Sequence, residues 1–238
     1  MSQLSAIAKT FIALVALTGG AVLMNGFVHW KSDDPLQFVA LLVVSMAASR
    51  LKVNLPGING CMSVNLPFFL IAAAELSLAE ALIIACAASF VQSVWASSKQ
   101  MKPVQIVFNS ATMTNAVALA AVVFGVLSKH GEGLPLALTA SGATFFLANT
   151  IPVSIVLWLA EKQGPTKTWF AIARLTFPYY VLSIGVSMVV CAAVKPLGWQ
   201  IPLLLFPLMY FIYRSYQLYF VRPSEETQPL GRTATSSK

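Results

Sequence analysis

The sequence predicts an all-α, polytopic transmembrane helical bundle of about eight spans, some of them short. Three observations carry that prediction. Hydrophobic residues make up 58% of the 238 and charged residues only 10%, against about 25% charged in an average soluble domain. The mean hydropathy is +0.77. The apolar residues also gather into runs of membrane-crossing length, about 20 residues each. Together these exclude an ordinary soluble enzyme, a disulfide-stapled secreted module and a disordered chain. Residues 1–221 read as one integral membrane domain, and the polar residues 222–238 as a disordered cytoplasmic tail.

The spans follow in order. Residues 6–28 form the first: the apolar run is longer than the core of a cleavable signal and ends without a small-residue cleavage site. The second covers 36–49. The apolar run 66–96 would be about 46 Å long as one helix, against a hydrocarbon core of about 30 Å. Its middle, Glu75-Leu76-Ser77-Leu78-Ala79-Glu80, carries two carboxylates. A tight turn there, giving spans 3 and 4, leaves both carboxylates near water. Span 5 covers 104–127 and span 6 covers 136–160. A polar, partly amphipathic connection covers 161–174. Span 7 is 177–194 and span 8 is 200–220.

Charge distribution supports this count. With eight spans and a cytoplasmic N-terminus, twelve of the fifteen Lys and Arg residues lie inside and only Lys31, Lys129 and Lys195 outside, as the positive-inside rule demands. Seven spans give a poorer split. Both termini are then cytoplasmic. Trp30, Trp95, Trp158, Trp169 and Trp199 all fall at span ends, where amphipathic rings prefer the headgroup level. Tyr210, Tyr213, Tyr216 and Tyr219 read as a further interfacial belt, with an aromatic ligand face as the other reading. Gly19, Gly20, Gly26, Ser183, Gly185 and Ser187 are small enough to let helices approach closely.

The stretch between spans 2 and 3 is distinctive. Lys52-Val53-Asn54-Leu55-Pro56 nearly repeats as Ser63-Val64-Asn65-Leu66-Pro67, with Gly57-Ile58-Asn59-Gly60 between. Two β-prone segments around Gly-rich turns predict a hairpin-like segment. It lies either at the inner surface, the favoured placement, or at membrane depth lining a cavity.

Chemistry is sparse. The formal net charge of +7 comes from basic residues scattered singly; the stripe that nucleic-acid binding needs is absent, so no nucleic-acid partner is expected. The three cysteines have no metal-ligand spacing. His-Glu-x-x-His is missing, as are a histidine at membrane depth and a Gly-rich phosphate loop. No catalytic residue, metal or cofactor is expected. Glu75 and Glu80 are the carboxylates closest to the bilayer interior. Asn109, Asn115, Asn149 and Thr150 are polar groups within spans 5 and 6. They serve either helix–helix hydrogen bonding or a small-molecule pocket between those spans. The candidate ligand-binding set is therefore Asn109, Asn115, Asn149, Thr150, Glu75 and Glu80.

Several pieces together resemble a family. They are Arg50-Leu51-Lys52-Val53-Asn54-Leu55-Pro56-Gly57, Ser63-Val64-Asn65, Val107-Phe108-Asn109-Ser110-Ala111, Phe146-Leu147-Ala148-Asn149-Thr150 and Tyr213-Arg214-Ser215-Tyr216-Gln217-Leu218-Tyr219. The chain, over roughly residues 8–222, resembles the bacterial membrane-associated sensor (MASE-type) domains. Those precede cyclic-di-GMP output domains of the GGDEF and HD-GYP kinds. The resemblance implies a sensory membrane module and supplies no catalytic residues. Arg222-Pro223 is expected to break the last helix, leaving no room for an output domain. The expected function is a stand-alone, non-catalytic sensor of a membrane or periplasmic cue, acting through a cytoplasmic signalling protein. Its partners would be the lipid bilayer, that protein and a small-molecule ligand. The alternative is a small-solute transporter or its substrate-binding membrane subunit.

Overall fold

The computed structural model describes residues 5–54, 61–95, 101–161 and 164–225. Among these, the chain forms eight α-helices and one two-stranded ladder: α1 (Ala6–Val28), α2 (Pro35–Ala48), β1 (Lys52–Asn54), β2 (Cys61–Ser63), α3 (Leu66–Glu75), α4 (Leu78–Trp95), α5 (Pro103–Lys129), α6 (Leu134–Glu161), α7 (Pro165–Leu197) and α8 (Leu205–Glu225), the last entered through a 3₁₀ turn at Ile201–Leu204. Five of them, α1 and α4 to α7, are long and apolar enough to cross a membrane. The protein is a multi-pass membrane bundle.

Local signals set the ends. Ser5 caps α1 by accepting from the Ala8 amide at 3.2 Å. The Asp34 carboxylate accepts from Leu36 and Gln37 at 3.1 and 3.0 Å, and Pro35 presets the first turn of α2. Gly131, with φ +79°, closes α5 in a Schellman motif: its amide donates to Ser128 and that of Glu132 to Leu127.

The division of the run 66–96 holds. Leu76 and Ser77 alone separate α3 from α4. One expectation about this turn fails, however. Glu80 is only 1% exposed. Its Oε2 accepts from the Ser77 amide at 3.0 Å and the Ser77 hydroxyl at 2.8 Å, while Ser77 Oγ accepts from the Glu80 amide at 3.4 Å. Ser77-Leu78-Ala79-Glu80 is a capping box. It folds the carboxylate back over the helix end and out of water.

Two other boundaries differ. Residues 165–174 are not a connection: α7 begins at Pro165 and runs for 33 residues through Pro178. Pro178 removes one intrahelical hydrogen bond, and the Thr176 hydroxyl next to it bonds back to Ile172 at 2.9 Å. Pro152 in α6 is flanked likewise by Thr150 and Ser154, which bond back to Phe146 and Thr150, each at 2.7 Å. At the far end, α8 continues through Pro223 to Glu225 instead of breaking at Arg222-Pro223. A proline so near a terminus forfeits one bond in a turn that has few left to lose. The Pro56-Gly57 and Asn59-Gly60 turns, the basic loop around Lys99 and the tail beyond 225 lie outside the described residues.

Helix α3 is the centre of the bundle. All seven residues from Leu66 to Ala72 are buried, and α2, α4, α5, α6 and α7 surround them. A helix apolar all round belongs in such a place. Close packing uses two of the predicted glycines. A Cβ on Gly19 would lie 2.8 Å from Ala111 Cα, and one on Gly26 would lie 3.1 Å from Leu82. Gly20 and Gly185 instead face open space.

Candidate functional site

The hairpin and the start of α3 make the most unusual site in the bundle. β1 and β2 pair antiparallel, with Lys52 opposite Ser63, Val53 opposite Met62 and Asn54 opposite Cys61. The ladder is covered. Val53, Met62, Val64 and Asn65 are buried, the Ser63 hydroxyl donates to Gln92 of α4 at 2.9 Å, and β1 lies against α8. Arg50 stacks on the Trp95 ring at 4.1 Å, pinning the approach to the hairpin to the last turn of α4. The described strands therefore pack against the bundle, with Lys52 and Ser63 partly exposed. Non-helical backbone at membrane depth would need such cover.

Depth follows from α7. The Leu66 amide, first of α3, donates to the Tyr179 hydroxyl at 3.1 Å, and Tyr179 sits near the middle of the 33-residue helix. Farther along, the Ser187 hydroxyl approaches Pro67 O at 3.4 Å, and Cys191 faces the Glu75 carboxyl group. Helix α3 thus runs beside the second half of α7. It is a half-helix of about 15 Å that begins midway through the bundle.

Tyr179 is a junction. Its ring meets Tyr180 at 5.9 Å and Tyr216 of α8 at 6.4 Å, both edge to face. Tyr180 continues to Phe145 and Phe146 of α6 at 6.1 and 4.8 Å, and Phe145 returns to Phe69 of α3 at 6.1 Å. One run of rings therefore joins α3, α6, α7 and α8. Edge-to-face pairs of this kind add roughly 0.5–1.5 kcal/mol each beyond burial.

The sequence-predicted polar residues do not converge between α5 and α6. The Asn115 amide crosses to α1, donating to Val15 O at 3.2 Å and to the Thr18 hydroxyl at 3.0 Å. Asn149 turns to α7 and donates to the Tyr180 hydroxyl at 3.0 Å. Thr150 accepts from the Trp169 indole at 3.1 Å. Asn109 is half-buried near the start of α5. Glu75 and Glu80 flank the α3–α4 turn at the opposite end from the hairpin. Asn149 does reach the tyrosine junction, through Tyr180.

Sequence reasoning missed Tyr179, Tyr180 and Asn65 as a group. Asn65 stood in the repeated Val-Asn-Leu-Pro motif, which was a usable signal. The two tyrosines lie within one apolar run and carry no local mark. Tyr216, spaced like an interfacial belt, turns its ring inward. Among the described residues, no group of three His, Cys, Asp or Glu side chains is placed to hold a metal ion.

A family model described as MASE9 matches residues 6–220. Comparison with curated proteins and with solved structures gives no match.

Proposed function

The chain belongs to the MASE9 family of membrane-associated sensor domains, and from that premise we propose that it is a non-catalytic sensory module of the bacterial inner membrane. Both termini face the cytoplasm in this reading. It takes a membrane or periplasmic cue into the bundle and acts through a cytoplasmic partner of the cyclic-di-GMP kind. The observation that carries the reading is Tyr179. One side chain holds the first amide of the half-helix α3 by a hydrogen bond and packs its ring against Tyr216 of α8. A cue that shifts α3 against α7 therefore alters the seat of α8. Such a cue must bind two arrangements of the junction with different affinity.

The test is a thermal-shift screen of the protein in lipid nanodiscs against metabolites, vitamins, lipids and metal ions. A ligand at 100 times its Kd stabilises by about 2.7 kcal/mol. Spin labels at Leu147 on α6 and Leu218 on α8, both exposed, then report whether that ligand changes the α6–α8 distance. An unchanged distance, with no cytoplasmic protein retained in a pull-down, overturns the reading.

One observation favours a second reading. Short helices that meet midway through a bundle are a common setting for solute sites in transporters, and α2 and α3 have 14 and 10 residues. Ligand flux into proteoliposomes would assign the chain to transport instead.

A further inference from the structure

Asn65 stands at the N-cap of α3, yet its side chain caps nothing. It is 1% exposed, and neither its Nδ2 nor its Oδ1 has a hydrogen-bond partner. An amide buried in this way costs free energy unless something satisfies it. A second orphan lies on α7. Ser183, also 1% exposed, sits one turn beyond Tyr179 on α7. Its Oγ lies beside the Tyr179 hydroxyl without reaching hydrogen-bonding geometry. The Tyr179 hydroxyl is fixed at this end of α3 by the Leu66 amide at 3.1 Å.

The chemistry narrows the occupant. Helix N-termini hold anions through several free amides, but α3 has little of that to offer. Its Leu66 amide is spent on Tyr179, and Pro67 has no N–H. The three side chains are an amide and two hydroxyls, with no carboxylate for a cation. They both donate and accept.

We infer that Asn65, Tyr179 and Ser183 enclose an internal binding site, at the start of α3, for a small uncharged molecule that both donates and accepts hydrogen bonds. Water is the smallest such molecule, and a compact neutral amide or alcohol has the same chemistry. Buried waters typically bridge polar groups left over in this way. The site stands whether or not the chain signals, because it rests on unmet hydrogen bonds and not on a change of state.

Hydroxyl-radical labelling by X-ray pulses in water tests it, because a buried ring is oxidised when a bound water lies against it. The intact protein in nanodiscs is used. Tyr179 is expected to label nearly as fast as the exposed Tyr210, while Tyr180, buried and adjacent in sequence, labels several-fold more slowly. In Asn65→Leu the labelling of Tyr179 falls several-fold with Tyr180 unchanged. If that variant does not fold, Ser183→Ala removes a single oxygen and gives the same fall. Protection of Tyr179 by added acetamide, measured relative to Tyr210, identifies a solute as a competent occupant; labelling indifferent to acetamide identifies water alone. Slow labelling of Tyr179 in the native protein, or labelling that neither substitution changes, overturns the site.

Discussion

Helices α1 and α3 solve opposite problems. The 23-residue α1 lies at the edge, with Ile7, Leu14, Leu17 and Met24 all exposed. The ten-residue α3 lies at the centre, apolar on every face and buried on every face. For α1 the bilayer is the solvent, so its length is set by bilayer thickness and its composition by lipid. For α3 the solvent is other helices. Its length is set by what the hairpin leaves unfilled, and its side chains by packing. Equal hydropathy therefore means different things in the two helices, and only packing makes a side chain costly to change.

Truncation separates the two most sharply. Phe68→Ala in α3, at a fully buried ring, should cost about 3–5 kcal/mol. Leu17→Ala in α1, 71% exposed, should stay within about 0.5 kcal/mol, because lipid tails are as apolar as leucine. Thermal unfolding in nanodiscs measures both, and comparable losses would break the contrast. A smaller effect is expected at the polar tie. Tyr179→Phe keeps the ring but strips the Leu66 amide of its acceptor, for about 1–3 kcal/mol. If stability is unchanged, α3 is held by packing alone. Next comes the turn: Ser77→Ala removes the cap of α4 and should cost about 0.5–2 kcal/mol, with amide exchange accelerated first at Ala79–Ala81. The smallest loss belongs to the edge. Asn115→Ala unties α1 from α5 and should cost about 0.6 kcal/mol, the average for hydrogen bonds between membrane helices.

The same contrast explains what could be read from the residues. The long spans were legible because the bilayer imposes a length on them; α1 and α5 fall within two residues of their expected bounds. The two-residue turn at Leu76-Ser77 was legible because 31 apolar residues are too many for one crossing. What lay beyond reach was tertiary. Glu80 reads as a charge near water until Ser77 is seen to hold it, although the Ser-x-x-Glu pattern stood in the sequence. Residues 165–174 look like a loop because their polar residues are not diluted by the apolar run that follows; the helix carries both. Asn115, Asn149 and Thr150 were recognisable as polar groups needing partners. Which helix supplied each partner depended on crossings among α1, α5, α6 and α7 that no local pattern encodes. Tyr179 and Tyr180 differ in sequence from no other aromatic pair, and only the meeting of α3, α6, α7 and α8 gives them a place.

The shortness of α3 also bears on how the protein is made. A segment of ten residues is about half the length that a bilayer-spanning helix needs, so insertion machinery scanning the emerging chain has no reason to hold it as a span. It enters instead as one arm of the 31-residue apolar run it shares with α4. Its surroundings are not complete even then, since Tyr179 and Tyr216 emerge more than a hundred residues later. The most enclosed helix of the finished bundle is therefore one of the last to find its walls. During synthesis the lipid, and whatever chaperone attends the nascent chain, must stand in for them.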